Sequence, residues 1–482
     1  MKATTSPTLN KFLSIARLME YKLPGKPGDK HVIGISSGAD SSVLGMILCL
    51  LFPETDFILL HTDTQEEING TGTALEEIES FIGRKVNRIS DPDGLYGLVE
   101  RYNGFLPSSL SRYCTRVLKV ELSQNYIDAL RGNDDIQVHN YAGLRADEPG
   151  RSGLDSSMPW LLTHFPMRDL GMKREDVFGI MSETVGVPSF YREKSRSGCA
   201  ICPMMRASEY LAVLETHTDQ FVKAEQYEKL NDLDKARFAI EGTDISPTHM
   251  PYPIPAFVDA RYQGTVKGMD FDAANLGRKK KTLTIDFFSE QKTHLFVAVE
   301  YLVDGLMGMF DPQSPGIHHS RIIGWGTDKT GLKTKINYHY ESRLNTAEVF
   351  DLTQDALKKQ YKVAVFSVEV NASCVDLEGI SKGSYVWNME VPFAKLRKTI
   401  NSLKRTMMYL GCLQELRWYE DAQEGTWQAA QFETALGRAK RLKAEKVSPG
   451  RLLQVYSYEP CIPTRKEKED STVPAPCFVC SK

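Results

Sequence analysis

The chain has 482 residues, 59 Lys and Arg against 62 Asp and Glu, and an apolar share of 41%. That length exceeds one ordinary core and predicts two or three domains, and the composition is that of a soluble globular protein. The net charge of −3 excludes a uniformly basic nucleic-acid coat, but between Phe393 and Lys466 stand 14 Lys and Arg against 7 Asp and Glu, a local excess of +7. No apolar run is long enough to cross a membrane, since Val43 to Leu60 is broken by Pro53, Glu54 and Asp56. With no secretory signal pattern at the N-terminus, a cytoplasmic location without a membrane partner is expected. In that reducing setting the nine cysteines are read as metal ligands, reactive thiols or core residues rather than disulfides.

The apolar strand Val32–Ile35 runs into Ser36-Ser37-Gly38-Ala39-Asp40-Ser41-Ser42 and then directly into an apolar helix, roughly Ser42 to Phe52. Small side chains there let backbone N–H groups approach phosphate oxygens at the positive end of the helix, with Asp40 or Ser41 predicted as its cap. The spacing is neither Walker A nor GxGxxG. Asp56 to Asp63 reads as a buried parallel strand, followed by a helix over Thr73–Ile82, a strand over Lys85–Ile89, a helix over Val117–Leu130 and a strand over Val138–Leu144. This alternation predicts an α/β fold built on a doubly wound parallel sheet, with ligand at the carboxyl ends of the strands.

Charged helices are expected from Ser208 to Ile240, and Pro247, Pro251, Pro253 and Pro255 then mark a boundary. Thr282–Phe287 and Lys362–Val370 alternate polar and apolar residues, as half-exposed antiparallel strands do. Between them His318-His319 reads as part of a turn after Pro315-Gly316. From Pro392 the chain turns helical: Phe393, Leu396, Ile400, Leu403, Met407 and Leu410 form one face, and Lys395, Arg397, Lys398, Lys404 and Arg405 the other. A second basic helix is predicted over Trp427–Lys446. Three regions result: 1–245, nucleotide-binding with a cysteine group; 246–391, β-rich and of unassigned role; and 392–482, basic, helical and ending in a cysteine-containing tail.

Three stretches follow the loop in order: Ser111-Arg112-Tyr113-Cys114-Thr115-Arg116-Val117-Leu118-Lys119, Gly143-Leu144-Arg145-Ala146-Asp147-Glu148 and Arg196-Ser197-Gly198-Cys199-Ala200-Ile201-Cys202-Pro203. With the loop, they resemble the PP-loop (N-type) ATP pyrophosphatases, and within them the PAPS reductase-like branch that includes sulfonucleotide reductases and the ATP-using enzymes of DNA phosphorothioation. The resemblance spans about His31 to Pro203, and Phe165-Pro166-Met167 and Asp176-Val177-Phe178 also fit it. It implies an adenine nucleotide alpha-hydrolase-like fold, ATP with Mg²⁺, and cleavage between the α- and β-phosphates. Ser37 stands where the family has its first glycine, and a serine there requires negative φ or tolerated strain.

The residues themselves agree with that chemistry. Ser36, Ser37, Gly38, Ala39 and Ser42 form the candidate phosphate loop, with Asp40 the carboxylate nearest a magnesium ion. Lys119, Arg145 and Arg196 are candidate phosphate cations, each read alternatively as a surface ion pair. Asp63 at the sheet edge is a candidate for ribose or Mg²⁺, or a simple cap. Asp40, Ser41, Lys119 and Arg145 are the expected catalytic group. Cys199 and Cys202 have C-x-x-C spacing, and with Cys114 the three thiolates suit a [4Fe–4S] cluster with one open iron, as the resemblance also implies; structural zinc or a redox dithiol is the alternative. Cys461, Cys477 and Cys480 form a second candidate group, a metal knuckle or a thiol tail, with Cys412 or Cys374 as a further partner. Cys49 is read as core.

The function expected is an ATP pyrophosphatase that adenylates a substrate, with DNA or RNA the candidate, for sulfur transfer from a donor protein or other subunit. The basic helices after Pro392, with Trp418, Tyr419 and Trp427, are the expected nucleic-acid surface. The alternatives are a reductase of PAPS or adenylyl sulfate, using Cys480 or Cys477, and a non-catalytic nucleotide-sensing subunit.

Overall fold

The computed structural model describes residues 6–239, 292–444 and 451–463, apart from short stretches at 109–110, 133–135, 149–157, 196–197, 309–310, 372–374, 376–384 and 389–390. The strand expected at Thr282–Phe287, together with Arg196, Cys374, Cys477 and Cys480, lies outside the described residues.

The N-terminal half holds helices α1 (Pro7–Leu18), α2 (Ala39–Leu51), α3 (Thr71–Ile82), α4 (Gly94–Arg101), α5 (Tyr113–Thr115), α6 (Leu122–Arg131), α7 (Pro166–Asp169), α8 (Arg174–Glu183), α9 (Ala207–Thr216), α10 (Thr218–Glu225) and α11 (Asp232–Arg237). Its strands are β1 (Lys30–Gly34), β2 (Phe57–Asp63), β3 (Val86–Ser90), β4 (Val138–Tyr141) and β5 (Leu161–His164). They form one parallel sheet in the order β3-β2-β1-β4-β5. Ile33 and Leu59 pack in the core that contains α2 and α3, whereas Val32, Leu60 and Val138 pack with Ile127 of α6 on the opposite face. Burial on both faces explains why β1 and β2 are apolar at successive positions instead of alternating. The chain reverses direction across the sheet between β1 and β4, which opens a crevice at the carboxyl ends of those strands.

The C-terminal half holds β6 (Lys292–Gly308), β7 (Asp311–Gly326), α12 (Lys329–Leu344), α13 (Gln354–Gln360), β8 (Tyr361–Asn371), α14 (Phe393–Trp418), α15 (Trp427–Ala444) and β9 (Arg451–Tyr458). Its sheet is antiparallel, β7-β6-β8-β9, so β9 joins the strands of the middle region. Alternation is strict on β6: Leu295, Val297 and Val299 face the main core, while Phe296, Ala298 and Leu302 face a second core beneath α12 and α13. The main core is continuous with that of the parallel sheet and takes in Phe393, Leu396, Ile400, Leu403 and Met407 of α14.

Two expectations are corrected here. His318-His319 lies within β7, paired across to β6, and not in a turn. The basic face of α14 is also not solvent-facing, because Lys395, Lys404 and Arg405 are buried. Lys404 pairs with Glu215 of α9 at 2.6 Å, Arg397 with Glu225 of α10 at 2.9 Å, and Lys398 donates to the Arg237 carbonyl. The helical period was right, and acids from distant segments supply the countercharge that lets its polar stripe be buried.

Candidate functional site

A cleft of about 450 Å³ occupies the crevice. Ser36, Asp40 and Ser41 line it from the loop after β1, Thr64 and Glu67 from the loop after β2, Gly143 and Leu144 after β4, and Phe165 after β5. Cys114, Leu118 and Lys119 line it from a different direction, and Lys194, Cys199, Cys202 and Glu209 close it. The backbone from Arg116 to Glu121 is a π-helical turn, a local widening found disproportionately at functional sites, in the segment that carries Leu118 and Lys119 to the cleft.

The loop is braced from within. The Ser36 N–H donates to Ser41 Oγ at 2.9 Å, the two hydroxyls lie 3.0 Å apart, and Ser42 Oγ donates to the Gly38 carbonyl at 2.8 Å. The Ala39 N–H donates to the buried Tyr191 hydroxyl at 3.0 Å. Helix α2 begins at Ala39 with Gly38 as its cap and no side-chain capping bond, so Asp40 and Ser41 sit inside the first turn and neither is the cap. Gly143 packs closely on the loop, since a Cβ there would lie 3.1 Å from the Asp40 backbone and push it by a few tenths of an ångström. Ser37, Gly38, Ala39 and Ser42 are buried and do not line the cleft, which the loop reaches through Ser36, Asp40 and Ser41.

Ser37 has φ of 58°, left-handed backbone that glycine adopts freely and L-residues adopt at a cost. Its hydroxyl donates to the Ser36 carbonyl, so the strained position is also satisfied locally. Replacing Ser37 with glycine is expected to raise stability by about 1 kcal/mol, read as a higher Tm. A fall in Tm would show that the hydroxyl bond outweighs the strain.

Arg145 does not line the cleft. Its Nη1 donates to both Asp40 oxygens at 2.7 and 2.8 Å, its Nε to Asp147 at 2.9 Å, and its Nη2 lies 3.3 Å from Glu148. Burial works against its charge, but the Asp40 carboxylate, with Glu148 and Asp147, outweighs that and holds its pKa above the ordinary value. Arg145 thus positions Asp40 rather than reaching into the cleft. Arg145 takes one lone pair of each Asp40 oxygen, and the carboxylate, 34% exposed, still faces the cleft with its remaining lone pairs. Asp63 accepts the Gln65 N–H at 2.7 Å, closing a turn, and does not line the cleft.

The three cysteines of the first group share the cleft. Their loop is stitched to the one after β2: Glu67 and Cys199 form an antiparallel bridge, and the Ala200 N–H donates to the Glu66 carbonyl at 2.7 Å. Thr64 Oγ1 donates to Glu67 at 3.0 Å and lies 3.3 Å from Cys199 Sγ. Lys119 Nζ is 3.7 Å from Glu67, and Lys194 Nζ donates to the Cys199 carbonyl. Burial, together with Cys202, pushes the Cys114 thiol up to about 11, with Lys119 opposing; burial and Glu67 push Cys199 up to about 12, again opposed by Lys119.

In type, number and shared cleft these thiols fit the three-cysteine donor set of an iron–sulfur cluster. As placed, however, no three His, Cys, Asp or Glu among the described residues could hold a metal ion together. Cys461 is elsewhere and exposed, its Sγ accepting from Asn337 of α12 at 3.3 Å, while Cys412 and Cys49 are buried in apolar cores. Without metal, iodoacetamide at neutral pH is expected to modify Cys461 at least about tenfold faster than Cys114 or Cys199, since the thiolate is the nucleophile. Peptide mass spectrometry over time reads this, and equal rates would contradict the raised pKa of the two partly buried thiols.

Sequence reasoning missed Thr64, Glu67, Lys194 and Glu209. Thr64 and Glu67 follow β2 on the ligand edge and Lys194 lies five residues before Cys199, which is signal enough to have proposed them. No family model matches the chain, and no curated protein matches it. Among the described residues, no helix is long and apolar enough to cross a membrane.

Proposed function

We propose that the chain is an ATP pyrophosphatase that adenylates an acceptor, with nucleic acid the candidate, for sulfur transfer. One observation carries the reading: the Ser36–Ser41 loop at the positive end of α2 and the thiols of Cys114, Cys199 and Cys202 line the same cleft at the strand-order reversal. The Ser36 and Ala39 N–H groups are engaged inside the protein, so those of Asp40 and Ser41, which line the cleft in the first turn of α2, are the donors a phosphate would meet. Lys119 and Lys194 line the same cleft and supply positive charge to it.

In the proposed reaction an acceptor oxygen attacks the α-phosphorus and the bond to the bridging oxygen breaks, so that pyrophosphate leaves with that electron pair. The chain aligns the triphosphate and neutralises charge as it develops, and no protein nucleophile is required. A cluster held by Cys114, Cys199 and Cys202 would supply an iron with one position open to sulfur. The test is anaerobic incubation of the protein with ATP and single-stranded DNA or RNA. Pyrophosphate and an adenylated oligonucleotide in equal amounts are expected. Nucleotide binding with no pyrophosphate would replace the reading with a sensing role.

A further inference from the structure

In segments that also supply cleft residues, three aromatic rings lie open: Tyr102, Phe105 and Tyr385 are 37%, 40% and 41% exposed. They are linked directly or through the buried ring of Tyr113. Phe105 meets Tyr385 edge-on at 5.6 Å, Tyr102 stacks on Tyr113 at 4.1 Å, and Tyr113 lies 6.4 Å from Phe105. Cations are interleaved with them. Lys229 Nζ stands 5.6 Å over the Tyr385 ring, and exposed Arg116 donates to the Tyr102 hydroxyl at 3.1 Å. Arg116 also pairs with Glu121 at 2.7 Å, but both side chains are solvent-exposed, and such pairs contribute little and yield readily to a competing anion.

A single exposed ring needs no explanation, whereas linked rings interleaved with Lys and Arg are the chemistry that holds unpaired bases and their backbone. The patch runs into the cleft along the chain. Pro107, Cys114 and Trp387 line the cleft, each within two residues of Phe105, Tyr113 or Tyr385. The basic face of α14, which the sequence offered for this role, is buried against α9–α11.

We infer that Tyr102, Phe105 and Tyr385, with Lys229 and Arg116, form a stacking platform for single-stranded nucleic acid on segments that also line the cleft. Its purpose rests on the adenylation reading, for which it would seat the acceptor; its binding does not, and is measured without ATP.

The test uses the full chain and fluorescein-labelled oligonucleotides of about 12 nucleotides, DNA and RNA of one sequence, with the DNA duplex as comparison, followed by anisotropy across a salt series. Single strands are expected to bind more tightly than duplex, with affinity falling as salt rises, and the tighter of the two single strands identifies the sugar. Phe105→Ala and Tyr385→Ala should each weaken binding by about fivefold to a hundredfold. Lys229→Gln should lower the salt slope by about one unit or slightly less. Leu18→Ala, at an exposed side chain on the last turn of α1, should change nothing. Equal affinity for duplex, or unchanged affinity in both ring variants, would overturn the platform. Failure of either single strand to bind at low salt would do the same and leave the patch as a protein contact. Loss of pyrophosphate release with the binding intact would remove the adenylation reading alone.

Discussion

Replacing Arg343 with methionine is expected to lower the unfolding free energy by about 3–5 kcal/mol, the usual consequence of stranding a buried charge. Glu300 on β6 is fully buried and accepts from Arg343 Nη2 at 2.6 Å and Nε at 3.1 Å, from His339 at 2.8 Å and from His319 at 3.1 Å. Burial alone would raise its pKa, but Arg343 first and then the histidines hold it well below the carboxylate range. Burial lowers both imidazoles, with Arg343 adding to it and Glu300 opposing, so the guanidinium is the countercharge.

Without Arg343 the histidines would have to take over that charge. Their folded pKa values would then exceed the unfolded ones, giving stability that is present at low pH and lost as pH rises. The variant's deficit is therefore expected to be larger at about pH 8 than at about pH 6. Urea unfolding at the two pH values measures it, and a deficit below about 1 kcal/mol at both would contradict the network's role.

The second large effect concerns the proposed chemistry. Lys119→Ala is expected to lower kcat/KM for pyrophosphate release by about 10²–10³, the scale of removing one positioned charge from a transition state. Its side chain is only 29% exposed, beside Glu67 on the cleft wall, so the loss should be electrostatic and leave folding unchanged. A change below about threefold with unaltered thermal stability would remove Lys119 from the reacting site.

The parallel sheet was legible because β1 and β2 are buried on both faces, which writes a continuous apolar run into the sequence. The strand-loop-helix corner was legible too, since small residues there separate an apolar strand from an apolar helix. Its details were not: α2 starts at Ala39 because Gly38 can cap without a side chain, and Ser37 tolerates left-handed backbone by bonding to its own neighbour. Arg145 looked like a phosphate ligand because a guanidinium fork fits carboxylate and phosphate equally well, and only the fold brings Asp40 to it. The network at Glu300 left no local trace, for its members are spread over 43 residues and three elements. Strand β7, with Pro312, Pro315 and Gly316 in its first half, reads as loop until β6 pairs with it.

The central claim is that an adenosine phosphate occupies the cleft against the loop and the three thiols. A nonhydrolysable α,β-methylene analogue of ATP, titrated while cysteine alkylation is followed by mass spectrometry, tests it most directly. Cys114, Cys199 and Cys202 should become protected together along one saturation curve, with exposed Cys461 unaffected. Saturable binding that leaves all three modified at their original rates would contradict it.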